Sequence, residues 1–249
     1  MTEWEASEKR ISCRAYQDRR VEASTLQQLR IYIDQLNTQS GLRFRLYTSE
    51  EPGKPAIKLA ASMFSGPVYA FAALAAGEDP LSSEKLGYYG QQLILYATSL
   101  GLGTCWVAST YDKDSINVEL RAGEKLWDVI PIGYTPEKMP ARQKMIRAVI
   151  RKSDRKPEQF LESEIEYRDL PEWVRAGIDA VLKGPSAANK QPVNIRYHDG
   201  KVYARIWKET HGLQYNDLGI AKKQFEIGAA HAGMPGHFTW GDGGEYMTE

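Results

Sequence analysis

Apolar positions recur along the chain with two spacings, one helical and one alternating, and the switches between them lay out its elements. Leu26, Leu29, Ile33 and Leu36 form a helical stripe closed by Gly41, with Ser24 and Gln27 placed as a capping box at its start. Residues 42–47 alternate as a strand, and a polar Pro/Gly loop follows over 48–55. The run Pro67-Val68-Tyr69-Ala70-Phe71-Ala72-Ala73-Leu74 is apolar throughout, the pattern of a buried strand. After a loop over 77–83, Leu86, Leu93, Ala97 and Leu100 mark the inner face of a long helix ended by Gly101 and Gly103. Residues 104–108 read as a loop running toward the core, and 127–133 as a strand. Val174, Ile178, Val181 and Leu182 give another helix, stopped by Gly184 and Pro185. Residues 193–197 alternate, Asp199-Gly200 is a turn pair, and 202–207 resume the strand, which predicts a hairpin with a type I′ turn. The glycine-rich stretch 241–245 predicts a loose tail.

A repeat lies under this pattern. Leu86 to Trp106 aligns with Leu218 to Phe238 without a gap, matching Gly87 with Gly219, Gln92 with Gln224, Ala97 with Ala229 and Gly101 with Gly233. The shared Leu-Gly start, glutamine and closing glycine in one register imply two related halves, 1–160 and 161–249, that imitate a homodimer within one chain. The fold class expected is α+β: a central mixed, mainly antiparallel sheet flanked by helices, with two pseudo-symmetric halves.

Composition narrows the partners. The chain has 249 residues, 42% of them hydrophobic and 26% charged, as in globular proteins. Lys plus Arg (32) balances Asp plus Glu (32), so no global field draws the chain to nucleic acid or an anionic membrane. A basic segment over 136–156 admits a nucleic-acid reading, but it lacks aromatics for base stacking. No apolar run is long enough to span a bilayer, and the acidic start is unlike a signal peptide. Cys13 and Cys105 lie far apart and the four histidines are scattered, which argues for a reducing, cytoplasmic setting and against a metal site.

Two stretches carry candidate chemistry. Arg10, Ser12 and Arg14 fall on one side of the backbone if extended, and the two arginines share one face if helical. Either arrangement suits a phosphate or an electron-rich ring edge, or else a solvated basic face. The loop 184–192, Gly-Pro-Ser-Ala-Ala-Asn-Lys-Gln-Pro, places hydroxyl and amide groups between a helix and a strand. Such a loop suits a polar planar ligand, or is an ordinary connection that caps its own backbone.

Residues 10–14, Arg-Ile-Ser-Cys-Arg, and 185–192, Pro-Ser-Ala-Ala-Asn-Lys-Gln-Pro, resemble the Arg-x-Ser-x-Arg and Pro-Ser-x-x-Asn-x-Gln-Pro motifs of the nitroreductase family of flavin enzymes. The helix ending at 101–103, Ile132-Gly133-Tyr134, and residues 153–158 resemble its later landmarks in the usual order. In that family both motifs lie near the start of one subunit, and FMN sits between two subunits. Here the first half has Thr38-Gln39-Ser40-Gly41 where the Pro-Ser-Asn loop should follow, and the second has Glu166-Tyr167-Arg168-Asp169 where the arginines should precede it. Each half keeps what the other lacks, which resembles the tandem-duplicated branch and implies one FMN per chain.

The resemblance implies Arg14 at the N1 and C2 carbonyl edge of the flavin ring. It places Arg10, Ser12, Arg155 and Lys156 at the phosphate, and Pro185, Ser186, Asn189 and Gln191 toward the ring and ribityl chain. The backbone of Trp106, Val107 and Ala108 would lie near N5. No side chain stands out as general acid or base, in keeping with a cofactor that carries the chemistry. The implied reaction is ping-pong, from NAD(P)H to an electron-poor acceptor such as a nitroaromatic or quinone. The chain has no Gly-x-Gly-x-x-Gly fingerprint, so nicotinamide would share the flavin pocket. A module that binds flavin without turnover, for storage or sensing, and a degenerate, flavin-free scaffold are the competing readings, and a chain holding its own pseudo-dimer is compatible with a monomer.

Overall fold

The computed structural model describes residues 1–51, 53–151, 155–210 and 212–249. Pro52 of the polar loop, Lys152, Ser153 and Asp154 of the basic segment, and His211 therefore lie outside the described residues. The elements run α1 (Glu3–Lys9), α2 (Ala23–Ser40), β1 (Arg43–Thr48), β2 (Ala70–Gly77), α3 (Pro80–Ser99), β3 (Gly103–Thr104), β4 (Glu124–Gly133) and α4 (Ala141–Arg151). They continue with α5 (Pro157–Phe160), β5 (Leu161–Glu162), α6 (Glu172–Lys183), β6 (Val193–His198), β7 (Lys201–Ile206), α7 (Gln214–His231), β8 (Gly236–Phe238) and β9 (Gly244–Thr248).

The chain forms two units that do not follow chain order. The first comprises Met1, 9–78 and 93–149, and the second comprises 2–8, 79–92 and 150–249. Each has its own sheet, where the sequence pattern predicts a single central one. Alternation identifies strands but not their partners, and hydrogen bonding closes two separate ladders.

In the first unit the sheet order is β1-β2-β4-β3, antiparallel throughout. All of β2 except its last residue is buried, and its run of alanines lets both faces be covered closely. Helix α2 packs on β1 and ends at Gly41, whose φ of +73° turns its N–H back to Asn37 O. The expected capping box at Ser24 does not form; Glu22 holds the N-cap position without a side-chain cap.

In the second unit the order is β5-β6-β7-β9-β8, with β5 parallel to β6 and the other pairs antiparallel. The β6–β7 turn has positive φ at Asp199 (+49°) and Gly200 (+76°), as a type I′ turn requires. The stretch predicted as a loose tail leads into β9, which pairs with both β7 and β8 and buries Tyr246 in the core. Helices α6 and α7 pack closely: a Cβ on Gly177 would meet the Phe225 ring at 2.4 Å, and one on Gly228 would meet Ala176 O at 2.3 Å.

The duplication is visible hydrogen bond by hydrogen bond. Leaving β5 aside, each half runs helix–strand–strand–helix–strand–strand, with the sheet in the order first, second, fourth, third. At the end of α3, Leu102 N donates to Ala97 O (3.0 Å) and Gly101 N to Thr98 O (3.0 Å). At the end of α7, Met234 N donates to Ala229 O (2.9 Å) and Gly233 N to Ala230 O (3.0 Å), the same Schellman closure on aligned residues.

Within the second unit the start of α3 crosses α7 reciprocally. A Cβ on Gly87 would stand 1.9 Å from Asn216 O, and one on Gly219 would stand 1.9 Å from Glu84 O. Glu84 and Asn216 are themselves aligned partners, so the contact is self-complementary, as in a two-fold dimer interface.

Candidate functional site

Helix α1 ends at Lys9, which settles the conformation of the arginine segment as extended. Ser12 bridges Thr104 in parallel, Cys13 N donates to Thr104 O (2.8 Å), and Tyr16 N donates to Ser65 O (2.9 Å). Alternation then sends Cys13 and Ala15 into the core and leaves Arg10, Ser12 and Arg14 on the other side, each only partly buried. Burial pulls the Arg10 guanidinium down to about 10, and the neighbouring cations Arg147 and Arg14 push in the same direction. Arg147 comes from α4, a helix that the sequence reading left as a bare basic segment. Burial also pushes the Cys13 thiol up to about 11 and raises that of Cys105, so both are poor nucleophiles.

Residues 106–108 leave β3 in the same unit. Val107 exchanges both backbone hydrogen bonds with Val129 (3.1 and 2.9 Å). The backbone of Val107 is thus engaged within the sheet, and Trp106 O accepts from Cys105 Sγ (3.5 Å).

The loop after α6 has an unusual backbone. Ala188, Asn189 and Gln191 have φ of +48°, +53° and +46°, a region that non-glycine residues seldom enter. Hydrogen bonds fix it from several directions. Gln191 N donates to Ser186 Oγ (2.9 Å), Asn189 Nδ2 to Ile150 O (3.1 Å), and Ala187 N to Asp217 Oδ1 (2.9 Å).

Arg155 braces the far end of the loop. It donates to Gln191 O (2.9 Å) and Asn194 Oδ1 (2.7 Å), its backbone N–H donates to Gln191 Oε1 (2.8 Å), and its guanidinium lies over the rings of Phe160 and Trp207. Lys156 is exposed at the start of α5. Asp217 on α7 is 3% exposed, and with Pro185, Ser186 and Gln191 it lines a small void. Burial lifts its carboxyl to about 7, against the Ala187 N–H, which favours the charged form. Among the described residues, Gln191 Nε2 and Asp217 Oδ2 are buried with no hydrogen-bond partner.

The sequence model of a family described as "Putative TM nitroreductase" matches residues 3–229. The chain belongs to the nitroreductase family.

Among solved structures, a "putative nitroreductase" from Thermotoga maritima is 21% identical with a TM-score of 0.64, covering 100% of this chain and 93% of that one. An FMN-dependent nitroreductase from Clostridium difficile is 19% identical with a TM-score of 0.42, covering 55% of this chain and 89% of that one. A nitroreductase named as FMN- and NADPH-dependent, from a Sphingopyxis strain, is 15% identical with a TM-score of 0.42, covering 57% and 92%. No curated protein matches the chain.

The nitroreductase motifs thus fall into two groups. Arg10, Ser12, Arg14 and 106–108 come together in the first unit through the Ser12–Thr104 bridge. Arg155, Pro185, Ser186, Asn189 and Gln191 come together in the second. The sequence reading missed Arg147 as a neighbour of Arg10, and it missed Asp217 altogether. An acid in the first turn of a helix looks like an ordinary dipole partner, and the one available signal was its mismatch with Lys85 in the repeat.

Proposed function

We propose that this nitroreductase-family chain is an FMN-dependent oxidoreductase that uses NAD(P)H to reduce an electron-poor acceptor such as a nitroaromatic or a quinone, with one FMN per chain. The observation that carries the reading is the extended segment aligning Arg10, Ser12 and Arg14, with Arg147 as a further cation acting on Arg10. Like charges gathered in a partly buried place favour an anionic ligand. The buried Gln191 Nε2 adds a donor that no described residue uses.

Arg10, Ser12 and Arg147 would hold the phosphate, since guanidinium forks match its oxygens. Arg14 would hold the pyrimidine edge of the ring, where a cation favours negative charge. Pro185, Ser186, Asn189 and Gln191 would contact ring and ribityl chain, and the backbone of Trp106, Val107 and Ala108 would lie near N5. Arg155, engaged with Gln191, Asn194 and two aromatic rings, supports the loop and is assigned no phosphate contact. FMN, when bound, supplies the hydride chemistry between nicotinamide and acceptor. The protein's share is to bind, orient and hold charge, and no side chain is assigned as a general acid or base.

Titration of purified protein with FMN, followed by absorbance after desalting, tests the reading. We expect retention near one flavin per chain, at least tenfold weaker binding in Arg14→Ala, and NAD(P)H oxidation that depends on an added acceptor. Retention of two equivalents, or of none, would refute it.

A further inference from the structure

We propose that Asp217 is a positioning residue that holds the 185–192 loop in the conformation that presents Ser186, Asn189 and Gln191 to flavin. This rests on the flavin reading above. Three non-glycine residues of the loop, Ala188, Asn189 and Gln191, occupy left-handed backbone conformations. Such conformations persist only where the surroundings over-determine them. Arg155 clamps the loop at Gln191, and Ser186 Oγ ties it internally. At its start, Ala187 opens a 3₁₀ turn, and its N–H is one of the donors that a helical turn leaves without an internal partner. The Asp217 carboxylate takes that N–H at 2.9 Å, immediately before the first left-handed residue.

The environment of Asp217 makes a purely structural account poor. It is 3% exposed, sits among Val181, Ile220 and Ala221, and makes no ion pair among the described residues. A buried acid in such a place destabilises the fold relative to a neutral side chain of similar shape. Holding the loop gives this acid a role that offsets that cost.

The repeat supports this. The residue aligned with Asp217 is Lys85, and the first half, which carries Lys85, has no Pro-Ser-Asn loop to hold.

The test uses the full chain and three variants. Asp217→Ala removes the acceptor, and Asp217→Asn keeps an oxygen for Ala187 N–H without the charge. Ala187→Pro removes the donor from the other side. Proline is tolerated there because Ala187 opens the turn and Ser186 before it is extended (φ −147°, ψ 162°). Hydrogen exchange at the Ala187 amide is read on flavin-free protein, and FMN affinity is read by titration.

We expect Asp217→Ala to expose the Ala187 amide and to weaken FMN binding about tenfold, the scale of one lost hydrogen bond. Asp217→Asn should retain both properties, and Ala187→Pro should lose affinity as Asp217→Ala does. The double variant should be no weaker than either single one. Unchanged exchange and affinity in Asp217→Ala, or losses that add in the double variant, would overturn the proposal. If Asp217→Ala does not fold, retained affinity in Asp217→Asn with lost affinity in Ala187→Pro supports it, and the reverse overturns it. A wild-type chain that takes up no FMN refutes the flavin reading, while exchange at Ala187 still decides whether Asp217 holds the loop.

Discussion

Asp217 is the residue whose surroundings and chemistry conflict most. Burial lifts its carboxyl to about 7, well above the value of about 4 in an unfolded chain. A group raised in this way contributes stability that is complete below the unfolded value and is lost as pH climbs through the folded one. Wild-type protein should therefore lose ground between about pH 4 and about pH 8 against Asp217→Asn, which has nothing to titrate there, by an amount on the order of 4 kcal/mol. Thermal unfolding of both flavin-free proteins across that range checks this, and parallel pH curves would refute it. The arginine segment is the opposite case, since its geometry was legible in advance. Alternation leaves Arg10, Ser12 and Arg14 on one side once the chain is extended, and α1 ending at Lys9 selects that state.

Among the elements, the repeated helices make the sharpest prediction. Gly219→Ala would place a Cβ against the Glu84 carbonyl, backbone against backbone, at the crossing of α3 and α7. Neither partner can rotate away, so a loss of about 3 kcal/mol or more is expected in urea unfolding. Gly233→Ala is the comparison: its Cβ meets nothing within 4 Å and merely occupies a φ of +84°, so about 1 kcal/mol is expected. Equal losses in the two variants would refute the crossing as described.

Glycines of this kind were readable from sequence because each marks a geometry that only glycine adopts without strain. The elements that escaped did so for physical reasons. Strand β9 hides in a glycine-rich stretch because its order comes from β7 and β8 rather than from its own composition. Strand β2 extends to Gly77 because its alanines carry no polar residue to mark an end. The capping box failed because the helix begins one residue before Ser24, with Glu22 at the cap. Of the candidate site, the motif residues were legible; the brace formed by Arg155 and the hold of Asp217 depend on contacts between distant segments.

At the scale of the molecule, the second unit is assembled from three separate stretches of chain, and a fully buried ion pair joins 79–92 to 150–249. Lys222 and Glu84 are each 1% exposed, and Lys222 Nζ also donates to Thr239 O (2.8 Å) and Gly241 O (2.7 Å). Glu84 accepts Gly241 N–H (2.7 Å), so the pair pins the corner before β9 to the start of α3. Burial lowers the Lys222 ammonium pKa, and Glu84 works against that shift. Removing one partner strands the other in a dry place, so Lys222→Met should cost about 3–5 kcal/mol. The double change Lys222→Met/Glu84→Leu should recover only the part due to the stranded charge, because Thr239 O, Gly241 O and Gly241 N–H then lose their side-chain partners. Chemical unfolding of the two variants checks this, and a double variant weaker than the single one would count against the account.

That ion pair also bears on the history of the chain. Under the repeat, Lys222 corresponds to Gly90 and Glu84 to Asn216. A homodimer must change both copies of an interface at once, so it would carry two such pairs or none. Here the substitution is one-sided, a freedom open only where the two sides of a contact are encoded separately. The Lys222–Glu84 pair is therefore a mark of divergence between the two copies of the repeat, carried by one and absent from the other.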